Sequence, residues 1–224
     1  MSELIGHTTI KRSDTVYDIG AGSGVISSKL AGRCKQVIAI EIDKKTADIL
    51  RKNMKEYANV TVKEADFLEI QLPQEPYKIF ANIPFHLSSA ILRKITKASN
   101  PPIDAYIIVQ KQFANKLLPD HRGFSSQLGM ILGVRFTFKI RKRLNRTDFW
   151  PHPNVDTVLL EIKHRDVPLV PKEQIQAYEK FIETHFTIPK LFSALPLHLV
   201  QKDSGVKPSS LTLSEWLVLF QSSH

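Results

Sequence analysis

Four short stretches hold residue types that can do chemistry together. Asp18-Ile-Gly-Ala-Gly-Ser-Gly24 sets three alternating glycines behind an acid. Glycine lets the backbone turn sharply and lets a ligand approach where a Cβ would otherwise stand. Glu41 lies 21 residues beyond Gly20, with Ile42 next to it. From there a carboxylate can accept hydrogen bonds from both hydroxyls of a ribose. Asp66-Phe67 pairs an acceptor for an adenine amino group with a ring to cover the base. Asn82-Ile-Pro-Phe85 presents an amide oxygen, turn carbonyls and an aromatic face.

The glycine spacing narrows the nucleotide. It is G-x-G-x-G rather than the G-x-G-x-x-G of dinucleotide binders, whose helix N-terminus must meet a pyrophosphate. S-adenosylmethionine has no phosphate to hold, and a short loop behind the acidic Asp18 suits a cationic sulfonium with an amino-acid tail. The cofactor set is therefore Asp18, Gly20, Gly22, Gly24, Glu41, Ile42, Asp66, Phe67 and Asn82.

The catalytic set is Asn82, Ile83, Pro84 and Phe85. An adenine N6 amine is a poor nucleophile because its lone pair is delocalised into the ring. Taking its two N–H bonds on the Asn82 oxygen and the Ile83 or Pro84 carbonyl favours a more pyramidal nitrogen that can accept a methyl group in line. Positioning and electrostatics then supply the rate. The alkylated, cationic nitrogen loses its proton to water, so no strong general base is needed and His86 is read as a turn residue. Phe85 offers a flat face to a base taken out of its stack. No metal site is expected.

These residues need elements to hold them. Thr15–Ile19, Gln36–Ile42, Val60–Val62, Tyr77–Ala81 and Ala105–Val109 read as strands, several of them near-continuous apolar runs of the kind buried on both faces. Val25–Ala31, Lys44–Tyr57, Ser88–Lys97 and Lys111–Leu118 read as helices between and after them. Such alternation predicts an α/β layer with a mostly parallel sheet, and ligands in such sheets bind beyond the carboxyl ends of the strands. Pro84 forces the chain to leave the sheet just after Asn82. Phe136–Leu144 and Val155–Lys163 follow without an intervening helix, joined by a Pro-bearing turn, and predict an antiparallel pair. Asp166–Pro171 reads as a linker. Lys172–His185 and Ser214–Phe220 read as helices, Ser214 as an N-cap. The expected domains are 1–165, Rossmann-like, and 166–224, small and α-helical.

Composition sets the class. The 224 residues are 42% hydrophobic and 24% charged, which excludes disorder, collagen and disulfide scaffolds. A single Cys34 forms no intrachain bridge and fits a reducing compartment. No leader or membrane span of about 18 apolar residues is seen, so a cytoplasmic protein is expected. The net charge of +9 is concentrated: residues 93–146 hold twelve Lys and Arg against Asp104 and Asp120. One basic region marks a polyanion partner. In Arg135-Phe-Thr-Phe-Lys-Ile-Arg141 apolar and polar residues alternate, which predicts a strand with one buried and one basic face. With no amphipathic helix to carry the charge, nucleic acid is preferred over membrane. The expected RNA contacts are Arg93, Lys94, Arg135, Lys139, Arg141, Lys142, Arg143 and Arg146.

Taken together, these motifs resemble the ribosomal RNA adenine N6-dimethyltransferases, and within them the Erm methyltransferases more than the KsgA group. Asp18–Gly24 is similar to the cofactor glycine motif, Glu41 to the ribose acid, Asp66 to the adenine acid and Asn82–Phe85 to the catalytic tetrapeptide. Tyr77–Ser88 with Ile91–Ile95 looks Erm-like, Phe149-x-Pro-x-Pro-x-Val155 is similar to a superfamily motif, and 186–220 resembles the small helical C-terminal domain. The resemblance implies a class I methyltransferase fold and S-adenosylmethionine as donor. It implies an adenine in the peptidyl-transferase loop of 23S rRNA as substrate, whose mono- or dimethylation obstructs macrolide, lincosamide and streptogramin B binding. It implies a monomer with no obligate protein partner. Two departures stand out. Phe85 replaces the commoner Tyr. The chain also opens within a helix that in the family follows a Gln-Asn-Phe-Leu-like segment closing over the cofactor. Alternatives are a KsgA-like enzyme acting on 16S rRNA, an RNA-binding or ribosome-assembly protein of this fold without catalysis, and, least favoured by the glycine spacing, a nicotinamide oxidoreductase.

Overall fold

The computed structural model describes residues 2–119, 125–145, 155–203 and 205–223. It divides into two compact units, Met1–Lys111 with Lys139–His164, and Gln112–Phe138 with Arg165–His224. One break falls near residue 165, and the second unit also takes in Gln112–Phe138, which the expected boundary leaves in the first.

The first unit is built on strands β1 (Thr15–Ile19), β2 (Gln36–Glu41), β3 (Val60–Glu64), β4 (Lys78–Asn82), β5 (Asp104–Gln110), β6 (Phe136–Leu144, from its fourth residue) and β7 (Thr157–His164). Their order in the sheet is β3-β2-β1-β4-β5-β7-β6. The first five are parallel neighbours, and β7 runs antiparallel to β5 with β6 outside it. The parallel sheet thus ends in the expected antiparallel pair. Strand order reverses between β1 and β4, so a crevice opens there at the carboxyl ends.

Helices α1 (Ser2–Gly6), α2 (Val25–Ala31), α3 (Lys44–Met54) and α4 (Ser88–Lys97) belong to this unit. Leu4 and Ile5 of α1 and Ile26 and Leu30 of α2 share one core with Val16, Val37, Phe80, Tyr106, Ile108 and Leu159 of the strands. Leu50 and Met54 of α3 close on Ala21 and Ala39. Helix α4 buries Ile91, Leu92 and Ile95, the four-residue spacing of an amphipathic helix. Helix α3 starts at an N-cap, Asp43, whose side chain accepts the Thr46 N–H at 2.8 Å, and ends at Met54 rather than Tyr57.

In the second unit lie α5 (Lys111–Leu117, from its second residue), α6 (Gln127–Gly133), α7 (Ile175–Thr187), α8 (Pro189–Ser193) and α9 (Leu213–Ser222). The α6 segment Gln-Leu-Gly-Met-Ile-Leu-Gly has no helical period to read, being apolar on every side and interrupted by glycine. Its glycines serve close packing: a Cβ on Gly129 would sit 2.6 Å from the Lys116 carbonyl oxygen. Aromatic rings of α7 and α9 meet edge to face, Tyr178 on Phe220 at 5.3 Å and Phe181 on Trp216 at 6.0 Å. The cap of α9 is Thr212, not Ser214. Thr212 and Glu215 form a reciprocal capping box, which satisfies two backbone donors where Ser214 satisfies none.

Among the described residues no helix is long and apolar enough to cross a membrane. Cys34 is buried, and burial pushes its thiol up to about 11.

Candidate active site

The glycine turn, Glu41, the 66–70 turn and Asn82 all follow carboxyl ends of parallel strands. Registers Ile19↔Ile40, Glu41↔Glu64 and Asn82↔Ile108 align those ends along one edge. Gly20, Gly22 and Gly24 have φ of 67°, 58° and 94°, in the left-handed region. Gly24 starts α2, and a Cβ there would come within 2.7 Å of Met54 and 2.8 Å of Leu50. At Gly20 a Cβ would lie 3.8 Å from Pro84 Cδ and 3.9 Å from the Asn82 carbonyl oxygen. Turns 62 residues apart in sequence are therefore neighbours.

Glu41 is nine-tenths buried and shapes the turn: Oε2 accepts the Gly22 N–H at 2.9 Å and Oε1 accepts the Asp43 N–H at 3.0 Å. A carboxylate has about four acceptor sites, so this leaves capacity for hydroxyls. Ile42, beside it, is 65% exposed, unusual for an isoleucine at a strand end. Asp18 is fully buried. Its Oδ2 accepts the Ser27 hydroxyl at 2.6 Å while Oδ1 has no partner among the described residues. Burial pushes its carboxyl up to about 7 against the Ser27 bond, and Glu41's charge adds to the rise. An orphaned carboxylate oxygen under a glycine cradle fits a ligand that is cationic and carries no phosphate, as S-adenosylmethionine is. Ser27, nine residues past Asp18 on α2, is a supporting residue with no signal in the sequence.

Asp66 turns the chain after β3: its Oδ1 accepts the Leu68 N–H at 2.8 Å and its carbonyl accepts Glu69 and Ile70 N–H groups at 3.0 and 3.2 Å. Phe67 is buried, its ring beneath Lys94 Nζ at 5.7 Å. Asn82 is exposed at the end of β4, and its side chain has no hydrogen-bond partner among the described residues. Ile83 is buried, Pro84 exposed and Phe85 half-buried. The Pro84 carbonyl accepts the Leu87 N–H at 2.9 Å, closing a one-turn 3-10 helix that leads into α4. His86 is exposed and is the middle residue of that turn.

The expected RNA contacts separate into groups. Lys139 and Arg143 are exposed and Arg93 is half-buried, all three without an ion pair among the described residues. Arg141 donates to the His7 carbonyl at 3.1 Å and lies 3.7 Å from Glu161; Lys142 pairs with Glu3 of α1. Arg135, in the second unit, is 4.0 Å from Glu179. Lys94 donates to two carbonyls of the 66–70 turn. Along β6, Phe136, Phe138 and Leu144 are buried, as the alternation predicts, while Ile140 is half-buried. Lys142 falls on their side of the strand and is accommodated by Glu3. Arg146 and Phe149–Asn154 lie outside the described residues.

Comparison with known proteins matches residues 1–190 to the family model for ribosomal RNA adenine dimethylase. A curated rRNA adenine N-6-methyltransferase from Escherichia coli is 31% identical over 226 aligned positions, covering 99% of this chain and 90% of its own. One from Lysinibacillus sphaericus is 33% identical over 183, covering 81% and 72%. Among solved structures, the 23S rRNA methyltransferase ErmE superposes with a TM-score of 0.85 at 27% identity, over 98% of this chain and 95% of that one. A dimethyladenosine transferase from Plasmodium falciparum shares the fold at a TM-score of 0.76 and 21% identity. With the glycine turn, the buried acids and the Asn82 turn at one sheet edge, the chain belongs to the ribosomal RNA adenine dimethylase family of S-adenosylmethionine-dependent methyltransferases.

Proposed function

We propose that this chain methylates the N6 amine of an adenine in the peptidyl-transferase loop of 23S rRNA and thereby confers resistance to macrolides, lincosamides and streptogramin B. The observation that carries the reading is the exposed Asn82, whose side chain has no hydrogen-bond partner among the described residues and whose backbone carbonyl lies beside the Gly20 turn. The cofactor set is Asp18, Gly20, Gly22, Gly24, Glu41, Ile42, Asp66, Phe67 and Asn82. When bound, S-adenosylmethionine supplies an electrophilic methyl group on sulfur.

The chain's own residues supply the rest. Asn82 Oδ1 and the Ile83 carbonyl accept the two N–H bonds of the target amine and draw its lone pair out of the ring system. Ile83 is preferred to Pro84 because the Pro84 carbonyl already takes the Leu87 N–H. Phe85 stacks on the extruded base. Preorganised acceptors of this kind are worth about 10²–10³ in rate apiece. Lys139, Arg143 and Arg93 contact phosphates. An enzyme that works on ribosomal RNA acts in the cytoplasm, here as a monomer. The support for 23S over 16S rRNA is the ErmE superposition.

Mass spectrometry of the 23S fragment around the target adenine, from cells with and without the protein, tests the reading. A methyl mark in 23S supports it, and a mark confined to 16S replaces it with the KsgA-like activity. RNA binding without any transfer of labelled methyl overturns the enzymatic reading.

A further inference from the structure

We infer that Lys94 is a positioning residue for the adenine end of the cofactor site, holding the 66–70 turn so that Asp66 can read the adenine amine. The inference rests on the proposed role of Asp66.

Lys94 sits on α4, the helix that follows the Asn82–Phe85 turn. Its ammonium donates to the Leu68 carbonyl at 2.8 Å and to the Ile70 carbonyl at 2.7 Å, and it lies over the Phe67 ring at 5.7 Å. Those three residues all lie within the four that follow Asp66. The N–H groups of the same turn point the other way, Leu68 to the Asp66 carboxylate and Glu69 and Ile70 to its carbonyl. The turn is thus tied at both ends, by Asp66 through its N–H groups and by Lys94 through its carbonyls. Two carbonyl oxygens aimed at one point repel each other unless a cation stands between them, and an ammonium with three donors meets that need. Asp66 Oδ1 is occupied by the Leu68 N–H, while Oδ2 has no partner among the described residues and is the acceptor left for the amine. A basic residue that sequence composition assigns to the RNA surface is, by its contacts, directed inward to the cofactor turn. Helix α4 then links the two ends of the site, Asn82–Phe85 at its start and the adenine turn at Lys94.

Calorimetry of S-adenosylhomocysteine and of its inosine counterpart, which lacks the amine, tests this on K94M, K94R, D66N and K94M/D66N. The expected result is at least tenfold weaker binding of S-adenosylhomocysteine to K94M and D66N, lost preference for adenine over hypoxanthine in both, and a double variant no worse than the weaker single. K94R, which can still donate to both carbonyls, restores most of the affinity. In methyl transfer, K94M raises KM for the donor with kcat kept within about threefold, and leaves the salt dependence of RNA binding as it was. If D66N weakens the ligand and K94M does not, Lys94 has no positioning role while the cofactor site stands. If K94M instead lowers the RNA salt slope, it is a phosphate contact and the inference is overturned. If D66N itself leaves ligand affinity and base preference unchanged, the Asp66 reading falls and the inference with it.

Discussion

The two edges of one sheet handle their acids differently. At the amino edge, Lys78 begins β4 with its ammonium buried, 3.0 Å from Asp14 and 3.4 Å from Asp104, and donating to the Thr9 carbonyl at 2.7 Å. Thr9 donates to Asp104 at 2.6 Å and Tyr106 to Glu161 at 3.0 Å, so the groups satisfy one another. At the carboxyl edge, four residues later on the same strand, Asn82 has no partner among the described residues and Asp18 keeps an orphaned oxygen. A cleft of about 540 Å³ opens at the amino edge; the charged Asp14 and Lys78 in its lining are paired with each other, while the buried Tyr77 hydroxyl has no partner among the described residues. Paired charges hold a fold together, and an exposed amide and a buried acid beside glycine turns are the groups proposed here to meet a ligand.

The contrast breaks most visibly at Lys78. Lys78→Met leaves Asp14 and Asp104 without their buried cation and is expected to cost about 3–5 kcal/mol of stability. Urea unfolding measures the loss, and the folded fraction should bind S-adenosylhomocysteine as before. Asn82→Ala is the reverse case: unfolding unchanged within about 0.5 kcal/mol, as for an exposed side chain. Single-turnover transfer should be slowed by about 10²–10³. A stability loss at Asn82, or a transfer defect without a stability loss at Lys78, would erase the distinction.

Asp18 sharpens it by pH. Its carboxyl is raised from the ordinary aspartate range to about 7 by burial. Between those values the folded chain holds a proton that the unfolded chain has lost, so stability declines as pH rises through that window and levels off above it. Asp18→Asn removes that decline, and unfolding curves at pH 5, 6, 7 and 8 should separate from wild type progressively toward the alkaline end. The smallest effect is at the basic strand. Lys139→Gln with Arg143→Gln should lower the salt slope of RNA binding by roughly one to two, about 0.7–0.9 for each phosphate no longer neutralised. Arg141→Ala, tied to His7 and Glu161, should instead destabilise the fold with the slope kept.

Much of this was legible beforehand. The boundaries of β1, α2, α4 and β6 coincide with their sequence readings, because apolar period and turn residues agree there. The amino-edge network was not legible, since Thr9, Asp14, Lys78 and Asp104 share no spacing and meet only through strand pairing. Nor was α6, whose glycines argue against a helix until Lys116 is seen packed on Gly129.

Local chemistry is written in short spans. A glycine turn, an acid after the next strand and an Asn two residues before a Pro are each legible within a few residues, and the sequence alone determined that these groups follow successive strands in that order. Which cations face outward was decided only by the folded chain. Arg141, Lys142 and Lys94 look alike in sequence to Lys139 and Arg143, but each reaches partners set by tertiary packing. A charge's role depends on what stands within a few ångströms of it, and that distance is a property of the fold.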